Sequence, residues 1–99
     1  MREEKFIRFL TQQESIQSKH KAINSRLAKA RKVERDLEVN LDEVVKDDQK
    51  TYELLIHIRR RLNDSNGAYQ NAVRKYYRFI NQNEFPSLKN YEGMVGISH

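Results

Sequence analysis

Gly67-Ala68-Tyr69-Gln70-Asn71-Ala72-Val73-Arg74-Lys75-Tyr76-Tyr77-Arg78-Phe79-Ile80 is the stretch that decides the fold. Tyr69, Ala72, Val73, Tyr76 and Ile80 recur at three- and four-residue steps, with Tyr77 and Phe79 beside them. That period puts one apolar face of a helix against a core. Gln70, Asn71, Arg74, Lys75 and Arg78 share the remaining sector, so the same helix shows amides and cations outward. Asn63-Asp64-Ser65-Asn66-Gly67 is the clearest turn in the chain, and Asn81-Gln82-Asn83 closes the helix. The spacing predicts a helix from Ala68 to Asn81.

Upstream, the same period predicts three more helices. The first spans about Glu3 to Gln12, on the apolar positions Phe6, Phe9 and Leu10 with Ile7 widening the stripe; Gln12-Gln13-Glu14-Ser15 reads as its connection. The second spans about Lys19 to Val39, with Ser18 as N-cap, Asn40 as its end, and Ile23, Leu27, Ala30, Val33 and Leu37 on one face. Leu41, Val44 and Val45 are expected to pack from a short turn. The third begins near Asp47 or Asp48, where acidic residues suit the positive end of the helix dipole. Its stripe is Tyr52, Leu55, Ile56, Arg59 and Leu62, broadened by Leu54 and Ile58, and it is expected to be the most buried of the four. Pro86 disfavours helix at Phe85, so residues 86–99 are expected to form an extended tail, frayed from Gly93 onward, with Leu88 and Tyr91 folding back on the core. The expected architecture is one all-α domain over residues 1–85, a compact and orthogonal four-helix bundle, followed by that tail.

Composition bounds the function. The chain has 99 residues, 37% hydrophobic and 33% charged, with one Pro and three Gly, which suits one helical domain with a modest core. With no Cys, disulfides, thiolate zinc sites and thiol catalysis are excluded. No apolar run approaches the roughly 20 residues of a membrane span, and no apolar signal segment follows Met1. A soluble, cytoplasmic protein is expected. The net charge of +5 is uneven: +6 over residues 1–33, −5 over 34–53, and +4 over 54–99. Two basic regions flank an acidic middle, and they make a polarised surface if they meet in space.

No catalytic motif is present. His20, His57 and His99 have no ligand-like spacing, and Asp42-Glu43 and Asp47-Asp48 lack the pattern of a calcium loop and read as helix caps. No activating partner is visible for a nucleophilic Tyr, and Tyr69, Tyr76 and Tyr77 read as core or rim residues, with base stacking the alternative use. Neither an enzyme nor a cofactor is expected. The basic helices carry the functional reading. On the fourth helix Arg74, Lys75 and Arg78 suit phosphates, while Gln70 and Asn71 suit base edges. On the second, Lys21, Asn24, Ser25 and Lys29 form a similar sector. Arg59-Arg60-Arg61 ends the third helix, where cations also complement the dipole.

Ala72-Val73-Arg74-Lys75-Tyr76-Tyr77-Arg78-Phe79-Ile80 resembles the "A-L-R-x-F-Y-x-F-L" helix that ends the core-binding domain of phage integrases and other tyrosine recombinases. Phe6-Ile7-Arg8-Phe9-Leu10 is similar to the first helix of that domain. Ile23-Asn24-Ser25-Arg26-Leu27 through Val33 is similar to its second, although Ala22 and Arg26 stand where the family has Thr and an aromatic. Tyr52 to Leu62 takes the place of the third. The likeness covers about Lys5 to Asn83 and rests mostly on helical core patterning. It implies a SAM-like four-helix bundle whose second and fourth helices lie on duplex DNA. The implied contacts are Lys21, Asn24, Ser25 and Lys29 with Gln70, Asn71, Arg74, Lys75 and Arg78. The recombinases' Arg, His-x-x-Arg and Tyr constellation has no counterpart in this chain, so strand cleavage is not implied. The expectation is a free-standing, non-catalytic DNA-binding domain of mobile-element origin; the alternative is a helical interaction module that docks an acidic partner.

Overall fold

The computed structural model describes residues 1–13 and 19–96. Its elements are α1 (Glu3–Gln13), α2 (Lys19–Asp36), α3 (Leu41–Val44), α4 (Asp48–Arg61), α5 (Ala68–Asn81) and α6 (Leu88–Val95). The described residues contain no strand. The four long helices stand where the periodicity puts them; α3 and α6 are additions. Ser18, Glu14, Ser15 and residues 97–99 lie outside the described residues.

Each boundary has a local cause. α2 stops at Asp36, three residues before the expected Val39. Glu38 takes the left-handed conformation (φ 53), and the Val39 N–H returns to the Glu34 carbonyl at 3.1 Å, closing the helix. Asn40 does not end α2. It caps α3, its side-chain oxygen accepting from the Asp42 N–H at 2.9 Å. Asp47 caps α4 by accepting from the Lys50 N–H at 3.1 Å. The start of α5 is held from further upstream. Gly67 there is left-handed (φ 73) and offers no side chain. The buried Asp64 carboxylate instead accepts from the N–H groups of Tyr69 and Gln70 at 3.0 and 2.9 Å.

Helix α5, rather than α4, is the centre of the molecule: it packs against α1, α2, α3 and α4. Ala72, Val73, Tyr76 and Tyr77 are buried on it, whereas α4 turns Glu53, His57 and Arg59 to Arg61 to solvent. Arg59, expected on the apolar stripe of α4, is exposed. Phe6 of α1 packs edge-on against Tyr76 at 4.9 Å and Phe9 lies 5.6 Å from Phe79, so α1 and α5 run in the same direction. The Tyr76 hydroxyl accepts from the Arg2 N–H and donates to Asp42, tying α1, α3 and α5 together. Burial first, and the Asp42 carboxylate second, hold the Tyr76 phenol well above the ordinary tyrosine range. Tyr77 donates to Asp48 at 2.8 Å, and burial with that carboxylate pushes its phenol up to about 12.

The segment after Pro86 is helical, not extended. Ser87 caps α6 by accepting from the Asn90 N–H, and Gly96 (φ 72) ends it. What seats it is a run of rings. Tyr77 meets Phe85 edge-on at 5.1 Å, Phe85 lies 5.2 Å from Tyr91, and Tyr91 stacks on Tyr52 at 5.1 Å. Tyr52 also donates to Glu92 at 2.6 Å, and Tyr91 to Gln49 at 3.2 Å. Phe85 and Tyr91 are buried and belong to the core.

Candidate nucleic-acid interface

The polar sector of α5 follows from its apolar face. With Ala72, Val73, Tyr76 and Tyr77 turned inward, Gln70, Asn71, Arg74, Lys75 and Arg78 occupy the remaining arc, all half-buried. The α2 helix lies alongside, and α2 and α5 form the most extensive helix pair in the molecule. Lys29 Nζ sits 5.9 Å from the centre of the Tyr69 ring, and the Arg26 charge acts on Lys75 further along. The order of these contacts makes α2 and α5 antiparallel. Two basic helices therefore share one seam.

The nine residues expected at the interface fall into three groups. Ser25 and Lys29 of α2 face the seam, with Lys29 donating to the Ser25 hydroxyl at 2.7 Å. On the α5 side of it stands Lys75, whose ammonium burial holds below the ordinary lysine range, with repulsion from Arg26 and Arg78 adding to the effect. Asn71 lies one turn from it on the same arc. Lys21 and Asn24 are exposed but turn elsewhere. Asn24 is two turns of helix from Arg31, and Arg31 pairs with Glu3 of α1. That puts Asn24 on the flank toward α1. Helical spacing puts Lys21 opposite the Ile23, Leu27 and Ala30 stripe, on the solvent side of α2.

The third group is engaged by the protein itself. Arg74, expected on phosphate, is turned under the C-terminal segment. Its Nη1 donates to the carbonyls of Phe85 and Pro86, both at 3.0 Å, and its guanidinium lies 5.7 Å from the Phe85 ring centre. Burial holds its pKa below the ordinary arginine value. Arg78 pairs with the exposed Glu84 at 2.9 Å, a surface pair that a stronger anion can displace. Gln70 gives its backbone N–H to Asp64, and its side chain lines a depression with Arg59 and the 63–67 turn.

Among the described residues, neither Lys21, Lys29 nor Lys75 has a carboxylate at ion-pair distance. Arg26 is the residue the sequence reading passed over. It borders the core stripe of α2, between Ile23 and Leu27, on the flank shared with Lys29 three residues on. A cation so close to a buried stripe must lie against whichever helix packs there, and that was the available signal.

Other uses of these side chains are limited. Tyr76 and Tyr77 are buried and cannot stack on a base; Tyr69 is half-buried with Lys29 over its ring. No cluster of three or more His, Cys, Asp or Glu among the described residues could hold a metal ion. No described helix is long and apolar enough to cross a membrane. No protein-family model, curated protein or solved structure matches the chain at a significant level.

Proposed function

We propose that this chain is a non-catalytic DNA-binding domain that lays the α2–α5 seam along a duplex backbone. The observation that carries the reading is the meeting of two basic helices along one seam where Lys29 and Lys75 have no carboxylate partner among the described residues. Cations that crowd one another at a half-buried site are relieved by an anion, and a polyanion relieves several at once. Lys29 and Lys75 would neutralise phosphates, with Arg26 strengthening the local potential. Asn71 is the amide placed to reach a base edge. Arg74 serves by fixing the C-terminal segment, and Arg78 by exchanging Glu84 for phosphate. The likeness to the core-binding domain of tyrosine recombinases, and with it a SAM-like arrangement of the helices, is part of this proposal. It agrees in naming the second and fourth long helices as the contacting pair.

The test is fluorescence anisotropy of a labelled duplex of about 20 base pairs at several salt concentrations. With so few free cations, binding is expected in the range of roughly 10⁻⁴ to 10⁻⁶ M, weakening steeply as salt rises. No anisotropy change at about 50 mM salt with protein near 1 mM would overturn the reading.

A further inference from the structure

Where α5 ends, the chain doubles back over it. Gln82 takes the left-handed conformation (φ 63) and gives its N–H to the Arg78 carbonyl at 2.8 Å, which stops the helix and turns the chain. Glu84 and Phe85 then stand against α5 and close a cup of about 160 Å³. Its other wall is the helix itself. Asn71, Lys75 and Arg78 follow one another at steps of four and three residues, so one stripe runs through the cup, with Arg74 beside it. All four are half-buried. The lining holds three cations and an amide against one carboxylate, that of Glu84.

The cations do not play the same part. Arg74 gives its Nη1 to the Phe85 and Pro86 carbonyls, so it is a fixed wall. Lys75 is crowded by Arg26 and Arg78 and has no carboxylate at ion-pair distance among the described residues. Arg78 pairs with Glu84 at 2.9 Å, and the same carboxylate acts through space on Arg74 and Lys75. The Glu84 side chain is 75% exposed, so it is a tethered anion reaching into the cup from solvent, and such a pair is weak. We propose that the cup is a binding site for a single phosphomonoester group, which displaces Glu84. A monoester carries about −1.5 to −2 charges and three acceptor oxygens. Asn71, Lys75 and Arg78 offer an amide, an ammonium and a guanidinium fork to meet them. A backbone phosphodiester carries a single charge and one free oxygen fewer, so it matches less well. The cup has the volume of about five waters, which suits one phosphate group rather than a base. A phosphorylated DNA end and a free phosphomonoester both present that group. The site goes beyond the duplex reading and does not depend on it: the seam follows a backbone, whereas the cup takes one terminal group.

The probe is phenyl phosphate, titrated into the full chain at constant ionic strength and followed by amide NMR shifts, with diethyl phosphate as the diester control. The expected result is saturation at about 1 to 10 mM, with diethyl phosphate about fivefold weaker. Shifts should gather on Asn71, Lys75, Arg78 and Glu84. Arg78→Met keeps an unbranched stem and should weaken phenyl phosphate about tenfold. Glu84→Gln removes the competing carboxylate and should tighten it about threefold, a gain that misfolding cannot produce. No saturation up to about 100 mM overturns the proposal. So do equal affinity for diethyl phosphate, shifts spread over the other basic helices, or unchanged binding in both variants. Anisotropy of duplexes with and without a 5′-phosphate separates the two sources. Tighter binding of the phosphorylated duplex, lost in Arg78→Met, assigns the cup to a DNA end. Equal binding assigns it to a free phosphomonoester and leaves the seam as it stands, while failure of both duplexes to bind counts against the seam alone.

Discussion

Along its border with the C-terminal segment, α5 presents Arg74, which holds two backbone carbonyls and lies on the Phe85 ring. Along its border with α2 it presents Lys75, which faces other cations and has no carboxylate at ion-pair distance among the described residues. The two residues are adjacent in sequence and carry the same charge. One is a strut and the other is a candidate contact. The difference lies in what stands opposite. Carbonyls freed by the irregular chain at Phe85 and Pro86 need donors, and a planar guanidinium supplies them. The α2 side offers Arg26 and Lys29 instead.

The comparison can be broken most forcefully from the C-terminal border. Phe85→Ala removes the ring between Tyr77, Tyr91 and Arg74 and should cost about 3 to 4 kcal/mol, read as a shift in the urea midpoint. It should also release α6, seen as loss of amide protection over Leu88 to Val95. Next in size, Arg74→Ala leaves the Phe85 and Pro86 carbonyls without their donor and should cost about 1 to 2 kcal/mol by the same measurement. Its effect on the salt dependence of DNA binding should be small, because that cation is already engaged. The smallest effect has the opposite sign. Lys75→Met removes a charge that burial and two arginines disfavour, so it should stabilise the free protein by up to about 0.5 kcal/mol while weakening duplex binding. The sign follows from the direction of the shift. A lysine whose folded-state pKa is depressed opposes folding while it is charged, below that pKa, and ceases to do so as pH rises through it. Raising the pH should therefore narrow the gap between Lys75→Met and the parent chain.

How far the sequence carried the fold differs along the same divide. The stripe Tyr69, Ala72, Val73, Tyr76 marks α5 because fourteen residues hold about four turns of one period, enough to separate helix from alternatives. A single turn such as α3 has no period to read, and only Asn40 before Asp42 and Glu43 hinted at its start. In α6 local signals worked against each other. Pro86 and Gly93 argue for irregular chain, yet Ser87 caps a helix whose formation depends on Tyr91 reaching Tyr52 and Phe85. That contact is tertiary, as is the Asp64 cap on α5. The candidate site followed the same rule. Which residues leave the core was legible from spacing. Where each cation goes afterwards was not, because Arg74 is directed by a segment whose path no local pattern gives.

The central claim is that Lys75 on the α2 border of α5, and not Arg74 on its C-terminal border, meets the polyanion. The direct test compares the salt slope of duplex binding in Lys29→Glu/Lys75→Glu with that in Arg74→Met, each alongside the parent chain. The account predicts that the lysine pair flattens the slope by about two and weakens binding at least tenfold, while Arg74→Met leaves the slope unchanged. An unchanged slope in the lysine pair, with a flattened one in Arg74→Met, would contradict it.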